Sequence, residues 1–382
     1  MIFIPALLAL LVLTYLLILQ RLLYGLNKIG RYKKNREKNS VSIIVAAKNE
    51  EQTIKNCVES LLAQDYPKSI LEIVIIDDHS TDKTYEILKS CEGQYPELKI
   101  ISLKNQNTST NIINSQLNKK PHQSSKKSAL EFGIKKAAGK LLLFTDADCE
   151  PPNTWVKEMA ACFDNDVGVV AGFSPLIDKT NSLPGKLFEL DSLVAATTAA
   201  AGLSLNKPIT CTGRNFAYRK KVFMQVNGFT DILQSVSGDD DLFLHLVKQK
   251  TNWKIKYNTS GRSIVPSYQT KTLNQFFLQK RRHISAAKYY PTGLKIIYSL
   301  MHLTNFSIYF FLITAIFSNK FLLTAIALFL IKVIIDYFFV SHGATTFNKK
   351  NLIKYFPLWE LFHFGYNLVI GPWAMVGKIK WK

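Results

Sequence analysis

A chain of 382 residues that pairs 47% hydrophobic side chains with a formal charge of +20 has room for one large domain plus membrane segments, and suggests a membrane protein with a basic face. Its five cysteines, Cys57, Cys91, Cys149, Cys162 and Cys211, are scattered without paired spacing, so neither a zinc site nor a disulfide framework is indicated. The basic residues cluster beside apolar segments, where anionic headgroups attract each by about 1 kcal/mol, so the expected partners are a membrane surface and then a nucleotide diphosphate, not nucleic acid.

Residues 1–19 are almost wholly apolar, close to the ~20 residues a helix needs to cross a bilayer. Arg21, Lys28, Arg31, Lys33, Lys34, Arg36 and Lys38 follow at once. A cleavable signal peptide carries its charge ahead of the apolar run, so the reverse order here predicts an uncleaved anchor over residues 1–25. The positive-inside rule then places the following domain in the cytoplasm, on the inner membrane.

Over residues 40–265 short apolar strands alternate with amphipathic helices, which predicts an α/β domain with a mostly parallel, Rossmann-like sheet. Strands are expected over 41–47, 70–76 and 98–103, with helices over 50–63 and 81–90 between them. Residues 104–125, rich in Asn, Gln, Ser and Thr, read as a mobile loop, either a lid or a plain insertion. A helix over 126–138 leads into Leu141-Leu142-Leu143-Phe144, a buried strand that ends in Asp146 and Asp148. Residues 266–293 read as an amphipathic interfacial segment.

The region 294–376 is membrane-embedded in this reading. Two spans, 294–317 and 321–340, are separated only by Ser318, Asn319 and Lys320 and predict a tight transmembrane hairpin. Lys332 and Asp336, four apart, either pair on one helix face or lie toward the bundle interior. The apolar stretch 355–376 has basic residues on both sides, which suits a re-entrant or interfacial segment, with a third crossing as the alternative.

Four elements carry chemistry, each at the carboxyl end of a strand or the start of a helix. Two carboxylates one residue apart beyond a buried strand suit Mg²⁺ or Mn²⁺, because alternate strand residues share a face and such ions complete their shell with phosphate and water. After the first strand come small residues through Ala47 and an acidic first turn at Glu50, where a planar base can approach the backbone. In Asp77-Asp78-His79-Ser80-Thr81-Asp82-Lys83-Thr84 a carboxylate can accept hydrogen bonds from a nucleobase or ribose while Ser80 or Thr81 caps the next helix. In Gly238-Asp239-Asp240-Asp241, like charges and partial burial raise a carboxylate's pKa toward that of a general base. A capping turn explains the Ala47–Glu50 and Asp77–Thr84 pieces alone about half the time, a solvated turn the Asp146 and Asp148 pair about one time in three, and helix-dipole complementation is the plain reading of the acidic run.

In this order the motifs resemble the family 2 glycosyltransferases of GT-A fold, particularly the membrane-bound branch with ceramide glucosyltransferases and polysaccharide synthases. The resemblance covers roughly residues 40–290. It implies inverting transfer from a nucleotide diphosphate sugar, most often a UDP-sugar, to a lipid or lipid-linked acceptor. Asp78 would hold the base, Asp148 with Asp146 the divalent metal, and Asp146 alternatively the ribose. Lys127, in Lys126-Lys127-Ser128-Ala129-Leu130, would meet the diphosphate. Thr212 to Arg219 looks like the acceptor segment, and Gln279-Lys280-Arg281-Arg282-His283 resembles the family's Gln-x-x-Arg-Trp motif, with Gln279, Arg281 and Arg282 on the donor. The family's Glu-Asp is replaced by Gly238-Asp239, which makes Asp239 the first choice for the base and Asp240 the second. His283 stacks a sugar less well than the usual Trp, which weakens the alternative of a processive or short-chain polysaccharide synthase. A non-catalytic nucleotide-sugar-binding membrane protein is the remaining alternative.

Overall fold

The computed structural model describes residues 3–29, 37–104, 125–268, 272–318 and 321–377. The segment 105–124, where the mobile loop was expected, lies outside the described residues, as does most of the link between the two expected spans. After helix α1 (Phe3–Asn27) the chain builds β1 (Val41–Ala47), α2 (Ile54–Leu62), β2 (Leu71–Asp77), α3 (Thr84–Cys91) and β3 (Leu98–Ser102). Next come α4 (Ser125–Lys136), β4 (Leu141–Phe144), α5 (Trp155–Ala160), β5 (Val167–Gly172) and the long α6 (Leu183–Ser204). Then follow β6 (Phe216–Arg219), α7 (Lys220–Gln225), α8 (Asp241–Lys250) and β7 (Lys254–Asn258). The C-terminal part is helical: α9 (Leu273–Ser285), α10 (Thr292–Ser318), α11 (Leu322–Thr346) and α12 (Phe356–Met375).

The seven strands form one sheet in the order β3-β2-β1-β4-β6-β5-β7, parallel except for β6, which runs antiparallel to both neighbours. Every residue of β1 is buried, as a strand covered on both faces requires. Alternation then divides the core. Val41, Ile43 and Val45 face α2 and α5 through Ile54, Val58, Trp155 and Met159. Ile44 and Ala46 face the opposite side, where the core runs on through α6 to Leu22 and Leu26 of α1 and Phe339 and Val340 of α11. Gly133 brings α4 onto this face: a Cβ there would fall 2.5 Å from the Ile76 side chain and 3.2 Å from that of Ile44.

Two helices start later than the sequence suggests. Residues 50–53 form a turn, with Thr53 N and Ile54 N both donating to Glu50 O at 3.0 and 2.9 Å, and helix α2 begins only at Ile54. Neither Ser80 nor Thr81 caps α3, which begins at Thr84. Ser80 Oγ accepts instead from Asn49 N at 3.1 Å, and Thr84 N donates to Asp82 Oδ1 at 3.0 Å. Between the two loops, the Ser80 and Asp82 side chains take Asn49 N and Glu51 N, backbone groups at the start of the expected α2.

Among the described residues three helices are long and apolar enough to cross a membrane, over residues 4–27, 292–317 and 322–346. Helices α10 and α11 pack against each other and both against α1. Lys332 pairs with Asp336 at 2.8 Å, the pairing alternative of the sequence reading, and also with Glu360 of α12. Tyr15 of α1 donates to Asp336 at 2.5 Å and Tyr309 of α10 to Glu360 at 3.0 Å, so four helices share one buried polar cluster. Helix α12 packs on α9 and α6 as well as on the bundle, with Pro357 in its first turn and Pro372 inside it.

Candidate active site

Two loops zip together beyond the carboxyl ends of β1 and β2. Asn49 and His79 both take left-handed backbone, at φ 54° and 58°, a conformation that Asn tolerates better than most residues. Asn49 Oδ1 accepts from Thr81 N at 2.8 Å, and Glu50 N donates to Thr84 Oγ1 at 2.7 Å. Ala47 O accepts from Asp78 N at 2.8 Å, and the Glu50 carboxylate accepts from Thr53 Oγ1 at 3.1 Å. Ala47, Glu50 and Asp78 are thereby brought to one edge of the sheet. Asp78 is 1% exposed; its Oδ1 meets His79 Nδ1 at 3.1 Å, while its buried Oδ2 has no hydrogen-bond partner in the described protein. A buried carboxylate oxygen left in that state is an acceptor waiting for a donor.

Strand β4 stops at Phe144, so Asp146 and Asp148 stand on a turn, closed by Cys149 N donating to Asp146 O at 3.1 Å, and not at alternate strand positions. Because β6 is antiparallel to β4 and pairs Phe216 with Phe144, the turn Gly213–Asn215 ahead of β6 is delivered to the same end of the sheet. Asn215 fixes that turn, accepting from Trp155 Nε1 at 2.9 Å and donating to the carbonyls of Phe173 and Ser263, both at 2.8 Å.

Lys126 joins the acidic elements. Its ammonium lies 3.0 Å from Asp146 Oδ1 and 3.0 Å from Asp239 Oδ2, and Lys126, Asp146, Gly213 and Asp239 line one small cavity with Thr145 and Phe144. Burial opposes ionisation of Asp146, but Lys126, aided by Arg214 and Arg282, draws its pKa down to about 2. The same two carboxylates, with Asp240, hold Lys126 charged against its own burial.

Lys127 does not meet this cavity. It is fully buried, and its ammonium donates to the carbonyls of Ile232, Ser235 and Ser237 at 2.9, 2.6 and 2.7 Å, so it ties down the loop before the acidic run instead of a diphosphate. Burial lowers its pKa to about 8. On a helix, successive residues point about 100° apart, and the Lys126-Lys127 pair alone does not say which one faces the site.

Gly238, at φ 90°, turns the chain into the acidic run. Asp239 reaches the cavity. Asp240 caps α8: its Oδ1 accepts from Asp241 N at 2.7 Å and its Oδ2 from Gly213 N at 2.8 Å. Burial, then the neighbouring Asp239 charge, raises the Asp240 pKa. Asp241 turns away into the protein and accepts from Tyr290 Oη.

On α9, Arg281 also departs from its expected role. Its guanidinium stacks 4.2 Å from the Trp373 ring and donates to the carbonyls of Trp373 and Val376 at 3.2 and 2.9 Å, which anchors α9 to the end of α12. The Arg282 charge acts on Asp146 and helps to hold its pKa down. Gln279 is half-buried on the same helix. Arg214, within the expected acceptor segment but given no role of its own there, donates to Ser174 O at 3.0 Å, and its charge acts on Asp146. Sequence reasoning missed Tyr290; a tyrosine before a proline carries no local signal of a partner 49 residues away.

The donor set fits a divalent ion that brings its own ligands. Asp146 and Asp148 are hard oxygen donors of the kind Mg²⁺ and Mn²⁺ prefer, and both charges act on the buried thiols of Cys57 and Cys149 beside them. Among the described residues no third His, Cys, Asp or Glu joins them, as in sites where substrate phosphate and water complete the shell.

Residues 42–226 match the family model for glycosyl transferase family 2. The chain carries a family 2 glycosyltransferase domain. The chain is 24% identical over 278 residues to the probable glycosyltransferase YdaM of Bacillus subtilis, covering 67% of this chain and 62% of that protein, less than two thirds of its length. It is 27% identical over 302 residues, 74% of this chain and 82% of the relative, to a dolichyl N-acetyl-α-D-glucosaminyl phosphate 3-β-D-2,3-diacetamido-2,3-dideoxy-β-D-glucuronosyltransferase of Methanococcus voltae. A short stretch of 61 residues, 16% of this chain and 13% of the relative, is 48% identical to the β-monoglucosyldiacylglycerol synthase of Synechocystis. Among solved structures, the mannosyltransferase PcManGT of Pyrobaculum calidifontis, in complex with GDP-Man and Mn²⁺, superposes with a TM-score of 0.55 at 16% identity. That match covers 95% of this chain and 98% of that one and shows a shared GT-A fold.

Proposed function

We propose that the transferase moves a sugar, with inversion, from a nucleotide diphosphate sugar, most often a UDP-sugar, to a membrane lipid or lipid-linked acceptor at the cytoplasmic face of the inner membrane. The observation that carries this reading is the meeting of Asp146 and Asp239, far apart in sequence, on the one Lys126 ammonium. Asp78, beyond the end of β2 and two strands from β4, offers its unpartnered Oδ2 to a donor N–H or O–H of the nucleoside. Lys126 and Arg282 supply positive charge for the diphosphate, and Gln279 a neutral hydrogen-bonding group. A divalent ion held by Asp148 and Asp146 would, when bound, offset the charge of the leaving diphosphate.

Asp239 takes the acceptor hydroxyl proton as the new glycosidic bond forms and the bond from the anomeric carbon to the diphosphate breaks. It is the first choice because it lines the cavity, whereas both oxygens of Asp240 already accept backbone N–H groups. A lipid acceptor is supported by the three apolar helices and by the relatives whose names carry diacylglycerol and dolichyl phosphate. In this reading residues 1–25 are the anchor, 40–265 the transferase domain, 266–293 the segment at the bilayer surface and 294–376 the remaining membrane region of a multi-pass protein.

The test is to incubate the purified full-length chain with labelled UDP- and GDP-sugars, Mn²⁺ or Mg²⁺ and a lipid extract. One labelled sugar per extractable lipid is the expected product. A long polymer would favour the processive synthase, and no transfer from any donor would leave a binding protein.

A further inference from the structure

Tyr290 stands immediately before Pro291, whose carbonyl accepts the first bonds of α10, from Leu294 N at 2.9 Å and Lys295 N at 3.1 Å. Its ring is buried, edge-on to His245 of α8 at 5.1 Å and 6.1 Å from Tyr298 of α10. Its hydroxyl donates to Asp241 Oδ2, and Asp241 Oδ1 accepts from Leu242 N at 2.8 Å. Asp241 N in turn donates to Asp240, and Asp240 accepts from Gly213 N in the cavity wall. The peptide bond from Tyr290 to Pro291 and these hydrogen bonds together therefore join the start of α10 to the acidic run.

Helix α8 has no need of Asp241 as a cap, because Asp240 fills that place. Asp241 is buried beside another carboxylate, and burial first, then Asp240, raises its pKa. Such a group costs stability unless a donor meets it, and the side-chain donor that does so is Tyr290. We propose that Tyr290 is a positioning residue, tying the entry of the α10–α11 hairpin to the acidic run so that the seating of the hairpin sets where Asp239 and Asp240 stand relative to Asp146. This rests on the transfer reading above for its consequence in rate, though not for the contact itself.

The test compares wild type, Tyr290→Phe, Asp241→Asn and the double variant, each as full-length chain in phospholipid nanodiscs. Tyr290→Phe should lower kcat about tenfold with donor KM within about twofold of wild type, and the double variant should be no slower than the slower single one. Hydrogen exchange needs no acceptor and separates this idea from the transfer reading. In Tyr290→Phe the amides of Gly213 and Asp241 should exchange at least about tenfold faster while those of β1 and β2 keep their rates. Unchanged exchange at Gly213 overturns the proposal whatever the assay gives. So does faster exchange with an unaltered kcat, or single effects that multiply in the double variant. A wild type that transfers no sugar sinks the transfer reading, and exchange still decides the contact.

Discussion

Lys126 and Lys127 are adjacent and do different work. Lys126 faces two carboxylates in the cavity, whereas Lys127 spends its charge on three backbone carbonyls under the loop that leads to Gly238. Replacing Lys127 with Met leaves those carbonyls short of a donor and should cost about 3 kcal/mol of stability, read as a shift in the unfolding transition. Replacing Lys126 with Met should raise donor KM about tenfold or more, read in the transfer assay. The sequence pattern located this basic pair but not its rotation about the helix axis, and an assignment one residue off exchanges a site residue for a structural one. Asp146 and Asp148 were legible because apolar runs that stop at carboxylates are rare in a plain core strand. Their placement on a turn was not, since β4 ends at Phe144, short of both carboxylates.

At the scale of elements, β1, β2 and β3 announced themselves through continuous apolar runs, and their order in the sheet follows from parallel crossovers. The antiparallel β6 did not, because Phe216–Arg219 is four residues long and carries no period that a loop could not also show. It is nonetheless the strand that delivers Gly213 to Asp146. Helix starts at 50 and 81 were overread for a related reason: the Asn49, Asp82 and Thr84 side chains accept across loops from the Thr81, Glu51 and Glu50 N–H groups, which a local capping rule does not see. Asn49 therefore matters beyond its own turn. Asn49→Ala loses the Asn49 Oδ1 bonds to Thr81 and keeps a left-handed backbone, so it should cost about 2 kcal/mol in chemical unfolding. It should also raise donor KM, since Asp78 follows the same loop.

On the scale of the whole molecule, α6 is the hub, packed against α1, α11 and α12 on one side and β7 on the other. Asp191, buried on α6, pairs with Lys280 of α9 and accepts from Tyr366 of α12 at 2.6 Å, so α6, α9 and α12 are keyed together at one carboxylate. Deeper in the bundle, Lys332 holds Asp336 and Glu360 together. Lys332→Met strands two carboxylates and should destabilise the chain by about 3–5 kcal/mol in detergent unfolding, whereas replacing all three charged residues with apolar ones of similar volume should restore most of that loss. The sequence showed the Lys332 and Asp336 spacing, but Glu360 lies on a different helix and only the fold brings it in.

The account stands or falls on acidic groups from separate elements of the fold serving one displacement. The most direct measurement is the single-turnover rate of labelled sugar transfer to lipid by wild type, Asp148→Asn, Asp239→Asn and Asp240→Asn, each shown to be folded by circular dichroism. Asp148→Asn and Asp239→Asn should each lose at least about 100-fold, with Asp240→Asn less affected. Full rate in Asp239→Asn with loss in Asp240→Asn would move the base by one residue, and full rate in both Asp239→Asn and Asp148→Asn would contradict the site itself.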